Sequence, residues 1–141
     1  NRSRALILLR DGEEEDKKIE NIPILGNVAA GTPLFSEENF EGTIPLPYHY
    51  VGTGKYFAVN VNGDSMKDAG IVDGDIAVIN FQETADNGDI VVAMGDEAFA
   101  LKRFYLEKNR VQLKSENPVY PSIYTQNVKI LGKVKMIIRN Y

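Results

Sequence analysis

From Asn21 onward the apolar residues fall in short runs, separated by Gly, Pro, Asn and Asp. In Tyr56 to Asn62 they alternate, with Phe57, Val59 and Val61 on one side and Ala58, Asn60 and Asn62 on the other. Successive side chains of a pleated strand point to opposite faces, so this alternation predicts a strand. Asp75 to Phe81 and Asp89 to Met94 read as further strands. Gly95-Asp96-Glu97 then turns the chain into a strand over Ala98 to Leu106, and Glu107-Lys108-Asn109 turns it again into Arg110 to Lys114. Val128 to Arg139 predicts a long strand with Val128, Ile130, Gly132, Val134, Met136 and Ile138 on one face. Only Ser65 to Ala69 has the pattern of a helical turn, and there is no internal repeat. The expected fold is mostly β, a barrel or sandwich of short antiparallel strands with one short helical turn.

The first twenty residues have a different texture. Asn1 to Arg10 is apolar, begins abruptly without a methionine, and reads as the tail end of something larger. Residues 11–20, DGEEEDKKIE, lack apolar periodicity and read as a solvated linker. The expected division is therefore 1–20, domain end and linker, and 21–141, one domain.

Composition narrows the chemistry. With 43% hydrophobic residues, a chain of 141 can bury a real core. The longest apolar runs, such as Ala5 to Leu9 and Ile76 to Ile79, fall far short of the roughly 18 residues of a membrane span. No basic segment leads into an apolar stretch and a small-residue cleavage site, so no signal peptide is visible. The expectation is a soluble protein without a membrane partner. The absence of cysteine excludes disulfides, thiolate metal sites and cysteine nucleophiles, and the single His49 excludes a His-rich metal site. No cofactor is expected, and any catalysis must rest on Ser, Thr, Lys, Asp or Glu.

The net charge of −4 hides an asymmetry: residues 21–97 carry −10 and residues 98–141 carry +7. A basic third can mark a nucleic-acid surface. Here Lys129, Lys133 and Lys135 share one strand parity and no base-stacking aromatics are interleaved among them. They read as a solvated sheet face that discourages edge-to-edge aggregation.

Two motif-like stretches fail on inspection. Gly52-Thr53-Gly54-Lys55 is not a phosphate loop, because the earlier glycine would fall on His49 and Tyr56 replaces the Ser or Thr. Asp73-Gly74-Asp75 lacks the alternating ligands and closing Glu of an EF-hand, and reads as a turn leading into a strand. The stretch Val61 to Gly70 (VNGDSMKDAG) is more informative, because a strand runs into a Gly-Asp corner that presents Ser65. Ser65 is either a helix cap, with Asp68 completing an imperfect capping box, or a nucleophile beside backbone N–H groups that can stabilise an oxyanion. A nucleophile needs a base. Lys102 shares parity with Ala98, Ala100, Phe104 and Leu106, where desolvation would favour a neutral, proton-accepting amine. An ordinary strand lysine would instead extend its amine into solvent. Neither residue decides the matter alone.

Several separated motifs resolve it by resemblance. Val28-Ala29-Ala30-Gly31-Thr32-Pro33, Gly63-Asp64-Ser65-Met66, Gly74-Asp75 and Ala100-Leu101-Lys102-Arg103 resemble, in order and spacing, the LexA/UmuD family of self-cleaving Ser-Lys proteins. Glu116-Asn117-Pro118 and the closing strand Ile130 to Tyr141 resemble it as well. The resemblance runs from about Ile22 to the C-terminus and implies a LexA/signal-peptidase-like fold. It implies Ser65 as nucleophile, Lys102 as general base and the amides of Asp64 and Ser65 as oxyanion donors. It also implies that Ala30-Gly31 is the bond cut within the same chain, with Val28 and Pro33 as anchors of the cleaved segment. Ala30 suits a small pocket, and Gly31 has no Cβ to obstruct the nucleophile.

Arg2-Ser3-Arg4-Ala5-Leu6 before the acidic linker resembles the join after a LexA-type winged-helix domain. The family implies a bacterial cytoplasmic repressor of the DNA-damage (SOS) response, homodimeric, that contacts operator DNA through an N-terminal domain absent from this chain. It also implies cleavage stimulated by a RecA filament on single-stranded DNA. A UmuD-like accessory subunit of a translesion polymerase and a non-catalytic dimerisation domain are the alternatives.

Overall fold

The strand-forming runs all join one sheet. The computed structural model describes residues 18–28, 31–94 and 98–141. Its strands are β1 (Ile19–Leu25), β2 (Phe40–Pro47), β3 (Tyr56–Asn60), β4 (Ile76–Phe81), β5 (Ile90–Met94), β6 (Phe99–Leu106), β7 (Val111–Lys114), β8 (Ile123–Thr125) and β9 (Ile130–Ile138). Their order across the sheet is β2-β1-β3-β4-β9-β5-β6-β7-β8. Neighbours are antiparallel except β1 and β3, which meet in parallel at Ile24 and Ala58. Helical structure among the described residues is slight: one turn, α1 (Tyr48–Val51), and 3₁₀ turns at Glu37–Asn39 and Lys67–Ala69.

The mostly-β expectation holds, as one continuous sheet rather than two. The expected turn at Gly95-Asp96-Glu97, and residues 1–17, lie outside the described residues. β1 begins at Ile19, opposite Pro47, so Ile19 and Glu20 belong to the sheet and not to the linker. The run of charges before Ile19 disguised that start.

No described helix is long enough to cover a sheet face, so the strands must bury one another. Leu25, Phe57, Val59, Ala77, Ile79, Val92, Leu101 and Leu131 form one apolar cluster. Ile22, Leu46, Tyr56, Ala58 and Val78 form a second, and Val91, Ala93, Phe104, Leu113 and Ile130 a third. Phe57 and Ala58, neighbours pointing to opposite faces of β3, are both fully buried. A central strand buried on both faces requires the sheet to curl over itself, which is why β3 buries more than its alternation predicted.

β9 departs from its expected parity for a local reason. Opposite β5, Val92 pairs with Gly132 but Ala93 pairs with Ile130, leaving Leu131 as an extra residue. Opposite β4, Val78 pairs with Met136 and Ile79 with Val134, leaving Lys135 extra. Each bulge shifts the facing of the residues beyond it. Leu131, Val134 and Ile137 therefore reach the same cluster despite their mixed parity. Lys129, Lys133 and Lys135 are exposed, as the solvated-face reading expects, and Lys133 pairs with Asp89 at 3.2 Å.

The connection from β3 to β4 carries Ser65, and the end of β9 holds it in place. Val61 N donates to Asp75 O at 2.8 Å and Gly74 N to Val61 O at 2.9 Å, closing the loop at its base. Arg139, just past β9, grips Asp75 with two bonds: Nε to Oδ1 and Nη2 to Oδ2, each 2.7 Å. Nη2 also donates to Gly70 O at 2.7 Å, and Val72 N donates to Asp75 Oδ2 at 2.9 Å. The carboxylate is only 1% exposed. A buried charge survives because its partner and its hydrogen bonds are all in place.

The Arg139 guanidinium holds the Asp75 carboxyl at a pKa of about 2, below its ordinary 3.8. The native state therefore binds this proton less readily than the unfolded chain. The resulting stability is present above the unfolded pKa and is lost as pH falls from about 4 toward 2. Melting temperatures of wild type and Asp75→Asn, followed from pH 6 to pH 2, are expected to converge over that window. A gap independent of pH would remove the ion pair as its source.

Candidate functional site

The corner carrying Ser65 is shaped by its neighbours rather than by a cap. Gly63 N donates to Asp73 Oδ1 at 2.7 Å, and Met66, buried in the first cluster, anchors the other side. The 3₁₀ turn starts after Met66 and has no side-chain cap bond. This decides against the capping reading of Ser65. Among the described residues neither the Ser65 hydroxyl nor the amides of Asp64 and Ser65 make a hydrogen bond.

Lys102 lies on β6, partly buried. Desolvation lowers its amine pKa from the ordinary lysine value, because burial penalises the charged form. The expected apolar stripe around it is only partial: Phe104 is buried, whereas Ala98 and Leu106 are exposed. Leu106 lies opposite Val111 in β7 and is 64% exposed. Lys102 Nζ does not extend into solvent but donates to Ser115 Oγ at 2.8 Å.

Ser115 opens a short segment that joins the lysine to the serine corner. Asp68 N donates to Glu116 O at 2.9 Å, and Asn117 Nδ2 donates to Asp64 O at 3.0 Å. Ser115 and Asn117 are both buried. Glu116 is held aside by Arg103, Nε to Oε1 at 3.0 Å. Tyr120 OH donates to Asp64 Oδ1 at 2.7 Å, and the Asp64 carboxylate raises the pKa of that hydroxyl. The corner is thus tied from β7 on one side and from β9 on the other.

A cleft of about 250 Å³ opens beside Ser65. Val59 to Asn62 form one wall with Ser65 and Met66, Ala98 to Leu101 form the other, and Leu25 to Asn27 with Glu41 close an end. Both walls are open strand edges among the described residues. β3 pairs toward β1 only at Ala58, and β6 pairs toward β7 only from Arg103 onward. An extended segment entering between them would find unpaired backbone on each side.

The segment holding the expected cut is only partly described. Ala29 and Ala30 lie outside the described residues, Val28 is partly buried, and Pro33 is exposed. Gly31 stands exposed in a turn with φ +77°, a left-handed conformation that favours glycine. Gly31 does not line the cleft, and nothing lies within 4 Å of where its Cβ would be. The base of this loop is pinned by Asn39. Its Nδ2 donates to Pro33 O at 2.9 Å and Leu34 O at 3.1 Å, while its own carbonyl accepts from Gly26 N at 3.0 Å.

His49 lies on α1, edge-on to the Tyr50 ring, and is not part of the cleft; neither are residues 52–55 or 73–75. Reading the sequence missed Ser115, Asn117, Asn39 and the Asp75–Arg139 pair. Glu116-Asn117-Pro118 was visible as a motif but carried no chemistry of its own. Isolated polar residues give no signal of burial until their partners from distant strands are known.

The peptidase family described as Peptidase S24-like matches residues 23–135, across both walls of the cleft and the Ser115–Asn117 segment. This chain belongs to the S24-like peptidase family. It is similar to the LexA repressor of Desulforamulus reducens, 47% identical over 88% of this chain and 58% of the relative. It is also similar to the LexA repressors of Pelotomaculum thermopropionicum, 45% identical over 96% of this chain and 67% of the relative, and Exiguobacterium sibiricum, 46% identical over 96% and 68%. The chain thus spans about three-fifths to two-thirds of the length of the curated relatives it matches. Of the motif residues, Ser65, Met66, Ala100 and Leu101 line the cleft, whereas Lys102, Val28, Gly31 and Pro33 do not. No helix among the described residues is long and apolar enough to cross a membrane.

Asn39→Ala removes the donor from two loop carbonyls inside a buried setting, so a loss of about 1–3 kcal/mol of stability is expected in urea unfolding. Limited proteolysis within residues 26–34 should accelerate in parallel. Unfolding and proteolysis at wild-type values would show that Asn39 does not pin the loop.

Proposed function

We propose that this chain is the self-cleaving, dimer-forming C-terminal part of a LexA-type repressor of the DNA-damage response. The observation that carries this reading is the bonded path from Lys102 through Ser115–Asn117 to the Ser65 corner, beside a cleft with two open strand edges. The bond cut is Ala30-Gly31 of the same chain, in a segment docked between those edges and anchored by Val28 and Pro33. The neutral amine of Lys102 takes the Ser65 hydroxyl proton as Oγ attacks the Ala30 carbonyl carbon. The amides of Asp64 and Ser65 donate to the oxyanion that forms. The protonated lysine then gives its proton to the Gly31 nitrogen as the peptide bond breaks. Water hydrolyses the resulting ester, with the amine again acting as base.

Desolvation of Lys102 supports the role of base, because it populates the neutral amine closer to physiological pH. The relatives' names support a repressor over a UmuD-like accessory subunit or an idle dimerisation domain. Operator DNA would be contacted by an N-terminal domain outside this chain, in the bacterial cytoplasm, and a RecA filament on single-stranded DNA would favour the docked segment.

Intact mass after incubation across pH 6 to 10 tests the reading. The expected result is a single cut between Ala30 and Gly31, faster as pH rises and levelling below the ordinary lysine range. Ser65→Ala and Lys102→Ala should each slow it by at least about 100-fold. A wild-type chain that stays whole at every pH, with and without the RecA filament, would sink the autoprotease.

A further inference from the structure

We propose that Ser115 is the positioning residue of Lys102, its buried hydroxyl holding the amine against the segment that bonds the Ser65 corner. The inference rests on the Ser-Lys reading above and adds a third residue to it. A lysine side chain has four rotatable bonds, so burial alone does not aim its nitrogen. Here the aim comes from one contact: Nζ to Ser115 Oγ, 2.8 Å, with the serine only 4% exposed. The acceptor is itself fixed, because the next two residues grip the Ser65 corner through Glu116 O and the Asn117 amide. The oxygen that orients the base is therefore set on the segment that hydrogen-bonds the nucleophile's loop.

The chemistry of the acceptor matters as much as its place. A hydroxyl accepts a hydrogen bond without adding a negative charge that would keep the amine protonated. The carboxylates nearest the segment are engaged elsewhere, Glu116 with Arg103 and Asp64 with the Tyr120 hydroxyl. Asp68 meets the segment through its backbone N–H. Val91 of β5 lies opposite Lys102 and is apolar, and Arg103 and Lys114 are the charged pair next to it on the β6–β7 ladder. No described carboxylate makes an ion pair with Lys102. Ser115 thus orients the base and leaves it free to be neutral.

The test is the pH–rate profile of self-cleavage in the full 141-residue chain for wild type, Ser115→Ala and Ser115→Thr, with melting temperatures recorded for each. Ser115→Ala should lower the high-pH plateau by about 10- to 100-fold, the scale of a misplaced catalytic group, without moving the midpoint to higher pH. Ser115→Thr restores the hydroxyl and should recover most of the plateau. A Ser115→Ala plateau equal to wild type overturns the proposal, as does a Ser115→Thr chain that melts normally yet stays slow. Should threonine lower the melting temperature, the NMR side-chain order of Lys102 in Ser65→Ala and Ser65→Ala/Ser115→Ala takes its place, with the lysine expected to loosen in the double variant. A Lys102 side chain equally ordered in both also overturns the proposal. Failure of the parent reading is separate, since wild type would then not cut at all.

Discussion

The proposed site depends on one physical constraint: Ser65, in the loop between β3 and β4, and Lys102, on β6, must share one rigid frame. The segment Ser115–Asn117 supplies that frame. It leaves the end of β7, accepts the Lys102 amine at its first residue and bonds the Ser65 corner at its second and third. Serine and lysine belong to different sheet neighbourhoods, β3–β4 and β5–β7, and neither is fixed by its own local structure. Burial of Ser115 and Asn117 makes the arrangement costly to rearrange, because each polar group would leave a partner unsatisfied away from water.

The same logic explains why the corner is held from its far side by an ion pair. The loop from Val61 to Asp75 contains little regular structure beyond one 3₁₀ turn and cannot define its own shape. Arg139 meets Asp75 and Gly70 together, which fixes the loop against β9 with planar, two-bond geometry. An apolar contact would bury the same surface but would not select one orientation. β9 therefore does more than complete the sheet: the residue just past its end ties down the loop that carries the corner.

How much of this was legible in the sequence depends on whether the signal was local. Alternation located β3, β4, β5, β6 and β7 to within a residue or two, because half-buried strands print their period directly. β9 was found but its facing was wrong beyond the bulges at Leu131 and Lys135, which depend on partner strands. β1, β2 and β8 were not delimited, since prolines and charges interrupt their apolar runs. Ser65 and Lys102 stood out through resemblance, whereas periodicity alone left each with an innocent reading. Ser115 and Asn39 gave no signal at all, because what distinguishes them is the company of residues 13 and 5 or 6 positions away in sequence.

Asn39 also bears on the control of the proposed reaction. By bonding Gly26 on one side and Pro33 and Leu34 on the other, it makes residues 26–34 a loop with a fixed base. On the proposed reading, a fixed base shortens the search for docking. It also restricts where the tip can go, and Gly31 stands in an exposed turn outside the cleft. The observed rate then equals the intrinsic rate multiplied by the docked fraction. A partner that binds the docked form better can raise that fraction without contributing a catalytic group. On the proposed reading, a substrate tethered near Ser65 and Lys102 would place regulation in the loop.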